Sequence, residues 1–308
     1  MTRVAIMTDE TGWHTRQLQA ALRERGATGR CIDLADCRID TAAVWHGLVI
    51  PGFGGELPDA VLVRGIAGGS FEQVTKRLGI LHALRELGVP VYNDARAIER
   101  SVDKSMTSLL LHAAGIATPP TWVTESTAEA QRIVMRESAA GRAVVVKPLF
   151  GSQGKGLQRA GCIAGVHVPL PADAAAPGLV YLQRFVAPLG SPGFDWRVLV
   201  IAGRAVAAMR RISEHWVHNV AQGARCVAAP LTPELADLAE AAATTLALDY
   251  AGVDIIPAAD GAPPQVLEVN GVAAWRGLQR VTPFNLARAI VDDLLDRRVV
   301  PGATERRA

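Results

Sequence analysis

Short apolar runs alternate with longer amphipathic segments through the first hundred residues, and this alternation restricts the fold more than any other feature of the sequence. The apolar run at 4–8 is followed by a helical pattern at 16–25. Further strands are predicted near Cys31, at Ala60–Val63 and at 89–92, with a helix between the last two. Strands separated by helices form parallel sheets. Residues 1–100 are therefore predicted to be a doubly wound α/β lobe.

Beyond residue 100 the pattern changes to strands that are joined by tight turns. The apolar runs 196–201 and 205–209 are joined by a tight turn at Ala202 and Gly203, which is typical of an antiparallel hairpin. An α/β chain is predicted, in which antiparallel sheets follow the parallel lobe. The other predicted elements are one helix at 101–114, a break at 118–120, strands at 143–146, 178–186, 252–256 and 265–269, and helices at 233–248 and 285–295.

Charge and cysteine content limit the partners and the compartment. Lysine and arginine total 32 against 30 for aspartate and glutamate, and the arginines are scattered among acids, which argues against a nucleic-acid partner. The four cysteines form neither a CxxC pair nor a paired zinc spacing, which favours free thiols in a reducing compartment. The sequence contains no charged-then-apolar leader and no apolar stretch of membrane-spanning length. We therefore expect a cytoplasmic protein without a membrane partner.

A glycine-rich loop at 151–156 follows the apolar strand at 143–146, and Lys147 lies between them. The spacing is not that of a Walker loop, because Leu149 stands where that motif requires glycine. A glycine-rich hairpin tip is often a simple turn, but a lysine beside flexible backbone amides suits the phosphates of a nucleotide. The loop residues expected to contact phosphate are Gly151, Ser152, Gln153 and Gly154.

Three oxygen-bearing side chains near the C-terminus form a candidate metal site. Glu268 and Asn270 are two residues apart on one predicted strand, so their side chains face the same way, and Asp254 lies on the preceding strand. Oxygen ligands without histidine or cysteine match Mg²⁺. The alternative is a surface acidic pair, but the neighbouring residues are apolar and unpaired buried carboxylates are unfavourable. We therefore predict metal binding.

The order of these features resembles that of RimK-type ATP-grasp ligases, which are α-L-glutamate ligases with a glutathione-synthetase-like ATP-binding domain. The resemblance extends from about residue 97 to residue 295. It implies a pre-ATP-grasp substrate lobe at 1–100, a small ATP-grasp lobe at 101–182, a large lobe with the metal site at 183–300 and a disordered tail at 301–308. The segments that carry it are Asp103-Lys104, Val146-Lys147-Pro148, Gly151 to Gly154, Asp195-Trp196-Arg197, Arg210-Arg211, Asn219, Asp254 and Glu268-Val269-Asn270.

The resemblance also implies roles for individual residues. Lys104 and Lys147 would contact the phosphates of ATP, and Asp195 would lie near the ribose or the phosphates. Arg197 and Arg211 would hold the transferred phosphoryl group or a substrate carboxylate in bidentate geometry, with a surface ion pair as the alternative for each arginine. Asn219 would lie beside the metal or the acyl phosphate, and Mn²⁺ would be able to replace Mg²⁺. The backbone contacts to adenine would come from Gln183, Arg184, Phe185 and Val186.

Two departures from the RimK pattern bear on specificity. Arg184 stands where many relatives have glutamate, and Trp275 and Arg276 lie in the segment that often reads Ala-Ser-Pro-Gly in relatives. The Trp275–Arg276 pair is predicted to stack on a planar, acidic acceptor or to pair with its carboxylate; core packing of Trp275 is the alternative. Three other residues are assigned to substrate carboxylates: His14, for which a solvated loop residue is the alternative, Arg64 and Arg210.

The activity implied by the resemblance is an ATP- and Mg²⁺-dependent carboxylate–amine ligase of the acid–amino-acid class. The acceptor carboxylate would become an acyl phosphate and then an amide of L-glutamate, with a pterin-type coenzyme or a protein C-terminus as acceptor. Self-association is also expected from the family. Three alternatives are a ligase of another amino acid, a non-catalytic ATP-binding regulator, and a dehydrogenase, which the absence of GxGxxG after the first strand disfavours. His215 and His218 lack a third ligand for zinc.

Overall fold

The computed structural model describes residues 1–151, 154–176, 178–258 and 262–299. These residues form three larger sheets and a short two-stranded one. In chain order, the elements are β1 (Arg3–Met7), α1 (Trp13–Glu24), β2 (Thr28–Ile32), β3 (Arg38–Ile39), β4 (Leu48–Val49), β5 (Ala60–Val63), α2 (Phe71–Glu86), β6 (Val91–Tyr92), α3 (Ala95–Val102), α4 (Lys104–Ala113), β7 (Thr121–Thr124), α5 (Thr127–Ala139), β8 (Ala143–Lys147), β9 (Gln158–Ile163), β10 (Val166–Val168), β11 (Val180–Arg184), β12 (Gly193–Ile201), β13 (Arg204–Ser213), a 3₁₀ turn (Val220–Gln222), β14 (Arg225–Ala228), α6 (Pro233–Thr245), β15 (Tyr250–Ile256), β16 (Gln265–Asn270), α7 (Arg276–Gln279), α8 (Leu286–Asp293) and a π-helical turn (Leu294–Arg298).

The N-terminal sheet is parallel, with the strand order β2-β1-β5-β6, as the alternating pattern predicts. Residues 4–7 of β1 and all of β5 are apolar and buried, because α1 covers one face of these strands and α2 covers the other. β1 and β5 pair with Met7 opposite Val63. The segments that follow these two strands therefore leave from the same edge of the sheet. Arg64 comes directly after β5, and His14 lies in the first turn of α1, which follows β1.

The small antiparallel sheet has the strand order β10-β9-β8-β11-β7. Helix α5 packs on it through Ala130, Ile133 and Val134, which join the buried side chains of the strands. The predicted strand at 143–146 is confirmed and is one residue longer, so that Lys147 ends β8 opposite Tyr181 of β11. This register places the lysine beside the glycine-rich loop that follows.

The large antiparallel sheet has the order β14-β13-β12-β15-β16. Alternate residues of its strands face two different cores. One face, which includes Val198 and Val253, packs under α6. The other face, which includes Leu199 and Tyr250, packs against α1, α7, α8 and the N-terminal lobe. The polar residues at the far end of this second face form the site described below.

The prediction of a single helix at 101–114 is wrong at its beginning. Helix α3 ends at Val102, and α4 begins at Lys104. Asp103 separates them because its carboxylate accepts hydrogen bonds from the backbone N–H groups of Ser105, at 2.8 Å, and Met106, at 3.2 Å. An aspartate in this arrangement is a favourable N-cap. The break puts Lys104 on the first residue of α4, where its side chain reaches the glycine-rich loop.

The predicted tail at 301–308 lies outside the described residues, as do Ser152 and Gln153 of the glycine-rich loop. Among the helices of the described segments, none is both long enough and apolar enough to cross a membrane. Each longer helix instead buries one side against a sheet, as α6 does with Leu235, Ala239 and Ala242.

Candidate active site

A row of charged side chains lies on one face of the large sheet. Asp195 is the direct partner of Arg211 across β12 and β13, and Arg197 is the direct partner of Asp254 across β12 and β15. Asp254 in turn lies opposite Glu268 of β16. Direct partners and residues two apart on a strand share a face of a sheet. The strand register therefore brings these five charges together.

The aspartates and arginines of this row form a continuous ion-pair network. Arg211 donates from Nε and Nη2 to the two carboxylate oxygens of Asp195, at 2.7 and 2.6 Å, and its Nη2 lies 3.0 Å from an oxygen of Asp254. Arg197 donates to both oxygens of Asp254, through Nε and, at 2.9 Å, through Nη2. All four side chains are buried. Buried charges need such partners to offset their lost hydration.

This network affects the two aspartates in opposite directions. Burial raises the pKa of Asp195 to about 6, although Arg211 opposes the shift. Burial also disfavours the charged form of Asp254, but the charges of Arg197 and Arg211 outweigh it and hold the pKa of Asp254 below its ordinary value. Asp254 is therefore a carboxylate at neutral pH, which is the form that binds a metal ion.

The three candidate metal ligands have the arrangement that their spacing predicts. Asp254 lies opposite Glu268, and Asn270 lies two residues further along β16 on the same face. Among the described residues the Glu268 carboxylate has no hydrogen-bond or ion-pair partner, and Asn270 is engaged through Nδ2 alone, which donates to the carbonyl oxygen of Gly252 at 3.3 Å. Two carboxylates and an amide oxygen fit Mg²⁺, which completes its coordination with water and phosphate oxygens.

Within the described part of the chain, no group of three or more histidine, cysteine, aspartate or glutamate side chains is arranged to hold a metal ion. His218 is buried near Asp195, with Nδ1 4.0 Å from a carboxylate oxygen, and burial lowers the pKa of His218 to about 4. Its ring is therefore neutral beside the network at physiological pH.

Lys147 lies across the cavity from Glu268 and is held by Gln183. The ammonium group donates to Oε1 of Gln183 at 2.6 Å. Burial lowers the pKa of Lys147 to about 8, with Lys104 adding to the shift and Glu268 opposing it. A buried ammonium with one amide partner has unused donors. Such a group is ready to bind an anionic ligand such as a phosphate.

The side chain of Gln183 contributes to the candidate site, whereas the sequence interpretation assigned only its backbone. Its amide is 1 % exposed, and Nε2 donates to Oγ1 of Thr121 at 3.2 Å and to the hydroxyl of Tyr181 at 3.4 Å. The Tyr181 hydroxyl is 2.8 Å from Oγ of Ser108. This chain of hydrogen bonds fixes the orientation of the amide, and hence of Lys147. The signal for this role was that Gln183 is a polar residue two positions after Tyr181, which is the strand partner of Lys147.

Lys104 holds the beginning of the glycine-rich loop. Its ammonium group donates to the carbonyl oxygens of Leu149, at 3.1 Å, and Gly151, at 2.9 Å. Burial lowers the pKa of Lys104, and the charge of Glu268 opposes this shift. A second predicted phosphate contact thus lies at the same loop as Lys147.

A cleft between the two antiparallel sheets connects these groups. Its larger part is open to solvent and comprises about 730 Å³ of space. It is lined by Asp195, Arg211, Asp254 and Glu268 of the charged row, by Lys147 and by the apolar residues Val145, Leu157, Ile256 and Leu267. A smaller part of about 370 Å³, also open to solvent, is lined by Lys104, Lys147, Gly154 and Glu268 among others. The two parts share Lys147, Gly154, Leu157 and Glu268. The cleft therefore offers an apolar compartment next to a cationic and acidic one, which suits a nucleotide.

The segment Arg184 to Val186 passes along the apolar part of the cleft. The guanidinium of Arg184 pairs instead with Glu137 of α5, through Nε at 2.9 Å and Nη2 at 3.3 Å. The Arg184 guanidinium is thus engaged by α5, while the backbone contacts to adenine that the resemblance implies remain a prediction. Arg184, which stands where many relatives have glutamate, thus helps to attach α5 to the small sheet.

Two aromatic residues, Phe185 and Trp216, line the cleft. Their rings meet edge to face with centres 5.9 Å apart, and the guanidinium carbon of Arg159 lies 5.2 Å and 5.1 Å from the two ring centres. Cation–π and edge-to-face contacts of this kind stabilise the packing of the three side chains. Arg159 and Trp216 were not identified from the sequence, because no spacing links them.

The remaining predicted residues take different positions. Asn219 lines the cleft, and its Oδ1 caps the 3₁₀ turn by accepting from the N–H of Ala221 at 2.8 Å. Arg210 follows the alternation of β13 and lies on the opposite face from Arg211, with its guanidinium carbon 5.5 Å from the ring centre of Phe194. That placement separates Arg210 from the charged row and disfavours its predicted role on the substrate.

At the edge of the N-terminal lobe, His14, Arg64, Trp275 and Arg276 lie together. Trp275 is 1 % exposed and packs edge to face against His14, with ring centres 4.6 Å apart. Its ring is therefore part of the core, and stacking on a substrate is disfavoured. Arg276 is exposed next to it. The structure thus brings the four predicted residues together but leaves the arginines as the polar groups of this region.

Comparisons with known proteins agree with this architecture. Residues 2–98 match the RimK PreATP-grasp domain, and residues 101–294 match the RimK-like ATP-grasp domain. The chain is 29 % identical over 330 residues to tetrahydromethanopterin:α-L-glutamate ligase of Methanosarcina acetivorans, covering 96 % of this chain and 99 % of that protein. It is 34 % identical over 247 residues to the same-named ligase of Methanocaldococcus jannaschii, covering 77 % and 79 %.

A solved structure has the same fold. The ATP-grasp ligase PsnB, in complex with a minimal precursor, Mg and ADP, superposes with a TM-score of 0.69 at 23 % identity, covering 96 % of this chain and 97 % of that one. The predicted fold class and the predicted family are both confirmed, since the parallel lobe, the two antiparallel sheets and the domain matches all agree. The chain belongs to the RimK-like ATP-grasp family and is an ATP-dependent ligase.

Proposed function

We propose that this ligase joins a carboxylate of an acceptor to the amino group of L-glutamate, with ATP as the energy source and an acyl phosphate as the intermediate. The observation that carries the proposal is the charged row, in which Arg211, Asp254 and Glu268 line one cleft together with Lys147. Arg197 belongs to the same row and is paired with Asp254. The names of the relatives support glutamate as the amino acid. The apolar compartment beside the row supports ATP as the phosphoryl donor.

The proposed positions of the reactants follow the chemistry of the cleft. The adenine would lie in the apolar compartment along the backbone of residues 184–186, and the phosphates would lie between Lys147, Lys104 and the glycine-rich loop. Asp254, Glu268 and Asn270 would hold Mg²⁺, which supplies charge neutralisation for the phosphate oxygens when it is bound. Asp195 would act through Arg211, since its carboxylate is taken up by that guanidinium.

In the first step, an oxygen of the acceptor carboxylate attacks the γ-phosphorus of ATP, and the bond from that phosphorus to the β,γ-bridging oxygen breaks. The products are an acyl phosphate and ADP. Arg197 and Arg211 present guanidinium groups at the end of the charged row, and the bidentate geometry of guanidinium matches carboxylate and phosphoryl oxygens. Positioning and charge stabilisation account for most of the catalysis of phosphoryl transfer.

In the second step, the neutral amine of glutamate attacks the carbonyl carbon of the acyl phosphate, and the carbon–oxygen bond to phosphate breaks. The amide forms as inorganic phosphate leaves and the nitrogen loses a proton. Negative charge develops on the carbonyl oxygen during this step, and a guanidinium of Arg197 or Arg211 offsets it. The neutral ring of His218 beside Asp195 adds no positive charge of its own.

The acceptor is proposed to be a small carboxylated compound of the coenzyme type. Support comes from the archaeal relatives, whose names specify a pterin coenzyme as the substrate of those proteins. The free thiols of Cys31, Cys37, Cys162 and Cys226 and the need for ATP support a cytoplasmic location.

The test is a turnover assay with defined components. Purified protein is incubated with Mg²⁺, ATP, L-glutamate and a panel of carboxylated acceptors that includes reduced pterins and a peptide with a C-terminal glutamate. ADP release and product mass are measured together. We expect ADP release that requires both an acceptor and glutamate, with a product heavier by one glutamyl residue, and we expect Asp254→Asn to abolish it. ADP release that is indifferent to glutamate across the whole panel would contradict the proposal.

A further inference from the structure

The loop 271–276 connects the charged row of the large sheet to the N-terminal lobe. On the side of the charged row, Nη1 of Arg197 donates to the carbonyl oxygen of Ala274 at 3.4 Å. On the side of the N-terminal lobe, Nη1 of Arg64 donates to the carbonyl oxygen of Val272 at 3.1 Å. The loop is therefore held from both ends, and Arg64 has a fixed position relative to Arg197.

His14 fixes the end of the same loop as a hydrogen-bond acceptor. Its Nε2 accepts from the backbone N–H groups of Trp275 and Arg276, each at 3.2 Å. A ring nitrogen that accepts two hydrogen bonds carries no proton. Burial, together with the charges of Arg64 and Arg276, lowers the pKa of His14 to about 4, so the ring is neutral at physiological pH. His14 thus orients this part of the chain without adding charge.

Arg64 and Arg276 have positive charges that no acidic side chain offsets. Within the described segments, neither guanidinium lies within ion-pair distance of a carboxylate. The guanidinium carbon of Arg64 is 5.1 Å from the ring centre of Trp275, and its Nε is buried without a hydrogen-bond partner. Buried donors are normally satisfied by protein, water or ligand. The charges of both guanidinium groups lower the pKa of His14, so both groups lie near the His14 ring.

We propose that Arg64 and Arg276 bind an anionic group of a substrate, a carboxylate or a phosphate, that is remote from the carboxylate undergoing reaction. His14 is a positioning residue for this site, because it fixes the backbone from which Arg276 projects. The inference rests on the proposed function, in which Arg197 and Arg211, at the other end of the loop, bind the reacting carboxylate. The anionic group is part of either the acceptor or glutamate. In both cases the guanidinium groups would recognise it by the same chemistry.

The test measures anion binding directly. Protein saturated with ADP and Mg²⁺ is titrated calorimetrically with glutarate, glycerol 3-phosphate or L-glutamate. Wild type is compared with Arg64→Met, with Arg276→Met and with Arg96→Met, which removes an exposed arginine elsewhere in the N-terminal lobe. Because Arg276 is exposed, its replacement leaves the core intact, and thermal unfolding checks Arg64→Met. We expect each site variant to weaken binding about tenfold or more, with Arg96→Met unchanged.

The three probes separate the sources of the anion. Arginine-dependent binding of glutarate or glycerol 3-phosphate assigns the site to the acceptor, and arginine-dependent binding of glutamate alone assigns it to the amino acid. Equal binding of all probes to wild type and Arg276→Met, or no binding to wild type, overturns the site. Saturation by ADP and Mg²⁺ is measured separately. A protein that turns over in the acceptor panel but fails this test keeps its proposed function and loses only the anion site.

The positioning role of His14 has its own readout. His14→Ala removes the acceptor for two backbone N–H groups, and we expect it to weaken anion binding about threefold to tenfold. His14→Gln supplies an amide oxygen as acceptor, and we expect it to restore most of the loss. If both variants lower thermal stability equally and leave anion binding unchanged, His14 is a packing residue and the positioning role is wrong.

Discussion

Arg197 and Asp254 are direct partners across β12 and β15, and the guanidinium of Arg197 donates to both oxygens of the Asp254 carboxylate. The same carboxylate is the central ligand candidate for Mg²⁺. A metal ion bound at the proposed site would therefore compete with the two arginines for one aspartate. Binding of the metal would free the guanidinium groups for the phosphoryl group, so that the ion pairs hold these groups in place until ATP and Mg²⁺ arrive.

This competition gives a prediction that runs against the usual effect of an active-site substitution. Arg197→Met should abolish turnover, yet it should increase the affinity of the nucleotide-free protein for Mn²⁺ about threefold to tenfold, because one competing cation near Asp254 is removed. Arg211 remains to pair with Asp254. Free Mn²⁺ is measured by electron paramagnetic resonance during titration. Arg204→Met, which removes an exposed arginine of β13, is the control. Weaker Mn²⁺ binding in Arg197→Met than in wild type contradicts the competition.

The convergence of the metal ligands was readable from the sequence, whereas the ion pairs were not. The two-residue spacing of Glu268 and Asn270 fixes their common face because strands have a period of two. The pairing of Arg197 with Asp254 depends instead on the register of strands whose partners are 57 residues apart. No local pattern encodes that register. For this reason the sequence suggested a role on the substrate or a surface ion pair for each arginine, and not a buried pair with Asp195 or Asp254.

The fold shows the same division between local and distant causes. Ala60–Val63 was predicted with its observed bounds, because an apolar β-branched run between polar segments identifies a buried strand locally. The break at Asp103 was missed, since the apolar residues on both sides continue a helical pattern and only the cap hydrogen bonds interrupt it. The sequence did not decide whether Trp275 is buried, because the residues that it packs against, His14 and Tyr250, come from distant parts of the chain.

The buried ammonium of Lys147 predicts a pH limit on ATP binding. Its pKa is lowered to about 8 by burial, so the charged form that would bind phosphate is lost as the pH rises through 8. We expect kcat/KM for ATP, which reports the free enzyme, to fall above that pH. Gln183→Glu places a carboxylate beside the ammonium and should shift the fall in kcat/KM to a pH that is higher by about one pH unit. Lys147→Arg stays charged over this range and should remove the fall. A flat wild-type profile between pH 7 and about 9.5 would show that Lys147 does not govern ATP binding.

The side chain of Arg184 turns away from the cleft, which predicts a separation of stability from ATP binding. Its guanidinium is bound to Glu137, and the proposed contact of this residue to adenine is through its backbone. Arg184→Met should therefore lower the free energy of unfolding by about 1 to 2 kcal/mol, while the KM for ATP changes less than about threefold. Urea unfolding and steady-state kinetics measure the two effects. A tenfold rise in the KM for ATP with unchanged stability would instead indicate that the Arg184 side chain contacts the nucleotide.

Glu137 itself predicts acid sensitivity of the small lobe. The carboxylate is 1 % exposed and accepts hydrogen bonds from Arg142, at 2.7 Å, and from Arg184, at 2.9 Å. The hydrogen bond and charge of Arg142, and then those of Arg184, lower the pKa of Glu137 from its ordinary 4.5 to about 2. A lowered pKa in the folded state stabilises the protein above the ordinary value, and that stabilisation is lost as the pH falls from about 4.5 to about 2.

Glu137→Gln should accordingly lower the free energy of unfolding at pH 7 by about 2 kcal/mol, which is typical of hydrogen bonds to a charged group. The difference from wild type should shrink as the pH falls through the window between 4.5 and 2, because wild type then loses the same charge. Glu129→Gln is the matched control, since Glu129 lies on the same helix and pairs with Arg132 at the surface. We expect less than about 0.5 kcal/mol from it at any pH. A difference for Glu137→Gln that persists unchanged at pH 3 would mean that packing of the side chain, and not its charge, attaches α5 to the sheet.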